Sequence, residues 1–324
     1  MPNSDRLKCT RSPLAASLAV LALAMPAVAQ DYPESDRPIR MTINDWTGQE
    51  LTTRLMGGVL EEMGYTVEYV QADYLAQFTG LESGDLTVGM EIWETTGKDA
   101  LEAAVETGNV VALGETGMEA IEEWWYPTYV KEECPGLPDW EALNECAEMF
   151  ASPMTSPNGR YLGGPVTWGG FDEERVEALG LDFDVVHAGT DAALMAEVRS
   201  AIQREEPIIA WVYAPHWAPI QYDGEWVEFP EYTDACYEDP SWGPNPDMTH
   251  DCGKPRGWIK PAAWAGGRDV WPAAYTAIEN FTIDNEQMGR LIGQVDVDGM
   301  PIQAAVDQWL QENEDTWQSW IPQN

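Results

Sequence analysis

The stretch from Ile39 to Val70 reads IRMTINDWTGQELTTRLMGGVLEEMGYTVEYV and sets the fold class. Ile39 to Ile43 alternates like a half-buried strand. Thr47-Gly48-Gln49-Glu50 then opens a helix that carries Leu51, Leu55, Val59 and Leu60 on one face. Gly64 ends the helix, and Tyr65 to Val70 is a β-rich run. Further along, Tyr74 to Glu82 predicts a helix, Gly84-Asp85 a stop and Leu86 to Ile92 a buried strand. A strand–helix–strand–helix–strand series implies a parallel sheet with right-handed crossovers.

The rhythm recurs beyond Trp124. Strands are expected at Trp125 to Val130, Arg160 to Trp168, Val185 to His187 and Pro207 to Tyr213, with helices at Asp139 to Cys146, Asp172 to Leu179 and Asp191 to Glu205. Tyr222 to Pro255 is rich in Pro, Gly, Asp and Trp and reads as irregular. Ile259 to Trp264 reads as a strand, and Val270 to Phe281, Asn285 to Val295 and Pro301 to Trp320 as closing helices. Two αβ lobes with a C-terminal return match a hinged clamshell.

The N-terminus has the marks of an export signal. Arg6, Lys8 and Arg11 precede the apolar run Leu14 to Met25, and Ala27-Val28-Ala29 is a small-residue cleavage site. The run is too short to span a bilayer, and Cys9 lies before it, where a lipoprotein cysteine would follow. Residues 1–30 are therefore expected to be removed, leaving a periplasmic protein.

The charge narrows the partners. With 17 basic against 56 acidic residues, net −39, a nucleic-acid partner is excluded for want of a basic patch. Cys134, Cys146, Cys236 and Cys252 remain after the signal, an even number in an oxidising compartment. The sequence-local pairs Cys134–Cys146 and Cys236–Cys252 are the expected disulfides. Metal binding is the rival, with His250 beside Cys252 its only hint. No cofactor is implied.

Ligands in open α/β sheets bind beyond the carboxyl ends of strands, and here those ends carry aromatics. Trp46 follows the first strand and Trp93 ends the Leu86 to Ile92 run. Trp124-Trp125-Tyr126 opens the second lobe, Trp168 precedes Gly169-Gly170, and Trp211, Tyr213 and Trp217 close the Ile208-Ile209-Ala210 strand. Aromatic faces attract cations, and cages of several rings hold quaternary ammonium groups, which cannot donate a hydrogen bond. Four desolvated faces at roughly 2 kcal/mol each reach about 8 kcal/mol, the scale of a micromolar dissociation constant. The N–H groups of Gly169 and Gly170, ahead of the helix at Asp172, are candidates for holding a ligand carboxylate.

At these residues the sequence resembles the glycine betaine/proline betaine/choline-type substrate-binding proteins of ABC importers. Asn44 to Thr47, Leu86 to Thr95 and Ile209 to Trp217 carry the resemblance, and the ending from Val306 through Trp317 to Trp320 agrees with it. It implies the two-lobed type II periplasmic-binding-protein clamshell, each lobe a mainly parallel sheet flanked by helices. Residues 31–127 with 228–324 would form lobe I and 128–227 lobe II. Trp93 is similar to the cage Trp of the first lobe, and Trp168 with Gly169 and Gly170 to the Trp–Gly segment of the second. Tyr213 stands at an aromatic cage position, Trp46 resembles the first-lobe Trp of choline-type members, and Tyr126 their second-lobe Tyr.

Two departures blur betaine against choline. Gly97 stands where betaine binders often carry a His, and Gly48 where choline-type members place an Asp. Asp45, Glu91 and Glu94 are candidate counter-charges, and Arg160 and Lys260 candidate carboxylate partners; a surface role is the expectation for each. The implied protein is a monomer that captures a quaternary ammonium or betaine ligand and docks on a membrane ABC permease. A binder of dimethylsulfoniopropionate, taurine or an amino-acid-like solute is the near alternative. A secreted carbohydrate-active enzyme is the distant one, since there is no GxSxG and only His187, His216 and His250 are present.

Overall fold

A computed structural model describes residues 32–323; the export signal expected over residues 1–30 lies outside them. Strand β1 (Ile39–Ile43) pairs in parallel with β2 (Val67–Gln71) and with β3 (Val88–Trp93). The helix Thr47–Glu62 crosses between β1 and β2, burying Leu51, Leu55, Val59 and Leu60, and Gly64 ends it at φ 90°. β4 is Val110–Ala112, and β5 runs from Glu119 to Pro127. β6 (Gly159–Gly163), β7 (Phe183–His187) and β8 (Ile209–Ala214) form a second parallel set. β9 is Gly224–Trp226 and β10 is Gly257–Trp264.

The path through the sheet is β2-β1-β3-β10-β5-β8-β6-β7, with β4 on β10 and β9 on β5. The two parallel sets meet where β10 and β5 pair antiparallel, Gly257 with Ala120 and Trp258 with Glu119. Along β3 the register of β10 shifts between Lys260 and Ala262; Pro261 stands there, and proline has no N–H for the ladder.

Three expectations are corrected. The strand expected from Trp125 begins at Glu119, and Thr128–Glu132 is a 3-10 turn; Glu122 and Glu123 disguised a buried strand by their charge. The closing helix expected from Pro301 to Trp320 is two, Ile302–Glu312 and Glu314–Gln318, parted at Asn313, whose side chain donates to the Trp309 carbonyl. The helix Glu94–Glu106 has no counterpart among the expected elements, because its buried face is built from Thr95, Gly97, Leu101 and Ala104, a thin apolar stripe.

Cys134 is bonded to Cys146 and Cys236 to Cys252. No helix among the described residues is long and apolar enough to cross a membrane.

Candidate functional site

Trp46, three residues past β1, and Trp93, the last residue of β3, occupy equivalent places: each is extended and stands at the N-cap of the helix that follows, Thr47–Glu62 and Glu94–Glu106. Trp168 closes the turn Val166–Trp168 after β6, and Tyr213 lies near the end of β8. The first two rings come from the β1–β3 side of the sheet and the last two from the β6–β8 side. The fold brings all four together.

Their contacts run in a chain. Trp46 meets Trp168 at 5.7 Å and 71°, Trp168 meets Tyr213 at 5.8 Å and 87°, and Tyr213 meets Trp93 at 5.7 Å and 85°. Every neighbour is edge to face, so the rings are the walls of a box. Tyr74 stands edge-on to Trp46 at 5.5 Å, and its hydroxyl accepts the Trp93 backbone N–H at 2.9 Å. The cavity is lined by these five residues with Thr96 and Glu122, and holds about 20 Å³. That is far below the roughly 300–1,000 Å³ of drug-sized sites, so the occupant is a small molecule.

The polar edge of every wall is held by a carboxylate. Trp46 and Trp93 both donate to Glu91 Oε2, at 3.2 and 3.1 Å. Trp168 donates to Asp45 Oδ1 at 2.9 Å, and Tyr213 to Asp191 Oδ1 at 2.9 Å. Acceptor oxygens at the edges turn the faces toward cations, since an anchored N–H or O–H donor pushes electron density into its ring.

Glu122 is the one acid in the lining. Thr95 Oγ1 donates to its Oε2, and burial pushes its carboxyl up to about 7 against the pull of Lys254. Behind it lies a buried charge network. Arg175 pairs with Glu123, and Lys254 Nζ reaches Asp172 Oδ2 at 3.2 Å. Glu122, Glu123 and Asp172 face two cations here, so one proton on Glu122 makes the group neutral. Lys254 Nζ also lies 3.3 Å from the centre of the Trp211 ring. That aromatic face already holds an internal cation, which keeps Trp211 out of the box.

Among the remaining expected residues, Gly169 and Gly170 follow Trp168 with φ of 82° and 133° but do not line the cavity. Tyr126 points elsewhere, its hydroxyl donating to Glu225 at 3.0 Å. Arg160 pairs with Glu197, and Lys260 with Glu115 at 3.3 Å. Glu94 Oε2 accepts the Trp258 N–H at 3.1 Å. The surface role expected of Glu91 is corrected: it is 1% exposed and anchors two walls. At Gly97 a Cβ would run into the Tyr74 hydroxyl. Tyr74 has taken the space a larger residue would need.

Beside Tyr213, the ligand atoms of Asp191, His216 and Asp296 all lie within 4.8 Å of one another. His216 Nδ1 accepts the Ala218 N–H at 3.1 Å, and burial holds the ring neutral, its pKa pushed down to about 3. Its proton is therefore on Nε2, which lies 4.0 Å from Asp296 Oδ2 without a hydrogen-bond partner among the described residues and, protonated, is not a metal ligand.

A family model, the substrate binding domain of ABC-type glycine betaine transport systems, matches residues 37–312. The chain belongs to this family. It is thus a substrate-binding protein of an ABC transporter, and the family is one of binding proteins rather than enzymes. A trimethylamine N-oxide-binding protein of Pelagibacter ubique (strain HTCC1062) is 32% identical over 311 residues, spanning 93% of this chain and 96% of its own. A glycine betaine/L-proline-binding protein (ProX) of Borrelia burgdorferi superposes with a TM-score of 0.70 at 19% identity, over 89% of this chain and 97% of its own. Lactococcal OpuAC, closed on glycine betaine, gives 0.68 at 16% identity, over 89% and 100%. The fold is the type II periplasmic-binding-protein clamshell expected from the sequence.

Proposed function

We propose that this family member captures a small trimethylated ammonium compound, trimethylamine N-oxide foremost, and delivers it to an ABC permease from the periplasm. The four-walled box of Trp46, Trp93, Trp168 and Tyr213 carries the reading. A trimethylammonium head offers methyl groups of diffuse positive charge on every side, and perpendicular aromatic walls meet each of them.

The lining also selects what the head carries. It contains no Lys or Arg, so a sulfonate such as taurine finds no counter-charge. A single Glu122, protonated near neutrality, donates one hydrogen bond, enough for one N-oxide oxygen. The relative of Pelagibacter ubique, a trimethylamine N-oxide binder, supports the same choice. Glycine betaine is the second reading, supported by the family model; one of its carboxylate oxygens would take the Glu122 proton.

Residues 31–127 with 228–324 would move as one lobe and 128–227 as the other. Closure brings both pairs of rings to the ligand, so binding shifts the population toward the closed form. The monomer performs no turnover and needs no cofactor.

Calorimetric titration with trimethylamine N-oxide, glycine betaine, choline, carnitine, dimethylsulfoniopropionate and taurine tests this. The N-oxide is expected to bind tightest, in the micromolar range. Failure of every methylated cation to bind below millimolar would sink the reading.

A further inference from the structure

Glu91 sits behind the cage and not in it. Its Oε2 is shared by the indole N–H groups of Trp46 and Trp93, at 3.2 and 3.1 Å, and its Oε1 lies 2.5 Å from Thr52 Oγ1. The residue is 1% exposed, and no cationic side chain among the described residues figures among its partners. A carboxylate buried without a counter-ion costs several kcal/mol. Burial accordingly raises its proton affinity, and only the three donors oppose that rise.

The surroundings give the charge a use. Two helices, Thr47–Glu62 and Glu94–Glu106, begin at the residues after Trp46 and Trp93. A helix start carries about half a positive charge, which opposes a nearby cation. An anion hydrogen-bonded to the very residues at both starts reverses that field. It also polarises two of the four walls through their N–H groups. A bound cation is then the missing counter-charge of Glu91.

We propose that Glu91 is the charge-selecting and positioning residue of the site: one oxygen sets two cage faces, and its negative charge makes the box prefer a ligand with a cationic head to one of the same shape whose head is uncharged. This rests on the trimethylammonium reading above.

Glu91→Gln preserves the shape. The amide oxygen still accepts from the indoles, and the amide nitrogen donates to Thr52 Oγ1, which keeps the Gly48 carbonyl as its own acceptor at 3.0 Å. Wild type and variant are titrated with trimethylamine N-oxide and with tert-butanol, in which carbon replaces the charged nitrogen and a neutral hydroxyl the charged oxygen. Glu91→Gln is expected to weaken the N-oxide about tenfold or more and to leave tert-butanol within about twofold. Glu91→Asp keeps the charge on a shorter arm, so both ligands weaken together and the preference survives. Equal losses for both ligands in Glu91→Gln, no loss for either, or a lost preference in Glu91→Asp overturns the proposal. A wild type that binds no N-oxide overturns the functional reading itself.

Discussion

The Trp168 indole N–H donates to Asp45 Oδ1 at 2.9 Å across 123 residues of chain, tying the turn after β6 to the end of β1. In the proposed two-lobe closure the bond would exist only while the two sides of the box are together, and so would stabilise the closed form alone. A hydrogen bond to a charged group contributes about 1.5–3 kcal/mol when buried, and the exposure of Asp45 reduces that to about 1 kcal/mol. Asp45→Ala is expected to weaken the ligand about fivefold, chiefly through faster release. Stopped-flow tryptophan fluorescence reads the release rate; an unchanged rate would remove this bond from the closing contacts.

Trp93→Ala and Trp168→Ala each delete one wall, and each is expected to cost about 1–2 kcal/mol or more of binding. Tyr126→Phe makes the contrast. Its hydroxyl serves Glu225 and the ring lies off the cavity, so ligand affinity should stay within about twofold. Calorimetry on the three variants decides; a Tyr126 effect as large as that of Trp93 would move the site.

Glu122 makes affinity depend on pH in a ligand-specific direction. Its carboxyl is pushed up to about 7 by burial, so it is a donor below that value and an acceptor above it. Binding of an N-oxide or a betaine, which needs the proton, should weaken as pH rises from 6 to 8.5. A choline hydroxyl, which donates, should bind better over the same range. Glu122→Gln keeps a donor and should flatten the N-oxide profile. An N-oxide affinity constant across this range in the wild type would exclude Glu122 from the contact.

The walls of the box were legible because Trp46, Trp93, Trp168 and Tyr213 stand at strand ends, where an α/β sheet presents ligands. Tyr74, Thr96 and Glu122 were not. Tyr74 follows a strand by a short loop, and its direction into the cavity depends on the room left at Gly97. Glu91 and Glu122 were hidden among 56 acidic residues, most of them solvated. A signal was present for Glu91: every residue of β3 is buried, and a charge inside so apolar a run is costly unless something answers it. Only the tertiary fold shows that two indoles answer Glu91, while the Thr95 hydroxyl and the nearby Lys254 answer Glu122 in β5.

Asp191, which holds the Tyr213 hydroxyl, ties stability to pH. Burial and the neighbouring carboxylates Asp296 and Asp45 push its pKa up to about 7 from 3.8, against the Tyr213 bond; His216 faces it neutral. The folded chain therefore binds this proton more tightly than the unfolded one. The stability it contributes is complete below 3.8 and is lost as pH rises through about 7. Glu122 acts in the same direction from 4.5 to about 7. His216 runs the other way, but its contribution is already complete above 6.5, the value from which burial lowers it. The carboxylates with lowered values, Glu206, Glu225, Asp234 and Asp239, act only at more acid pH. From pH 6.5 to 8 the raised carboxyl groups are opposed by Lys254, which burial lowers from 10.5, and urea unfolding should show stability falling across this window as the two carboxyls lose their protons. Asp191→Asn, which keeps an acceptor for Tyr213 without the charge, should flatten part of the slope. Stability that rises with pH in this window would contradict the protonated Asp191.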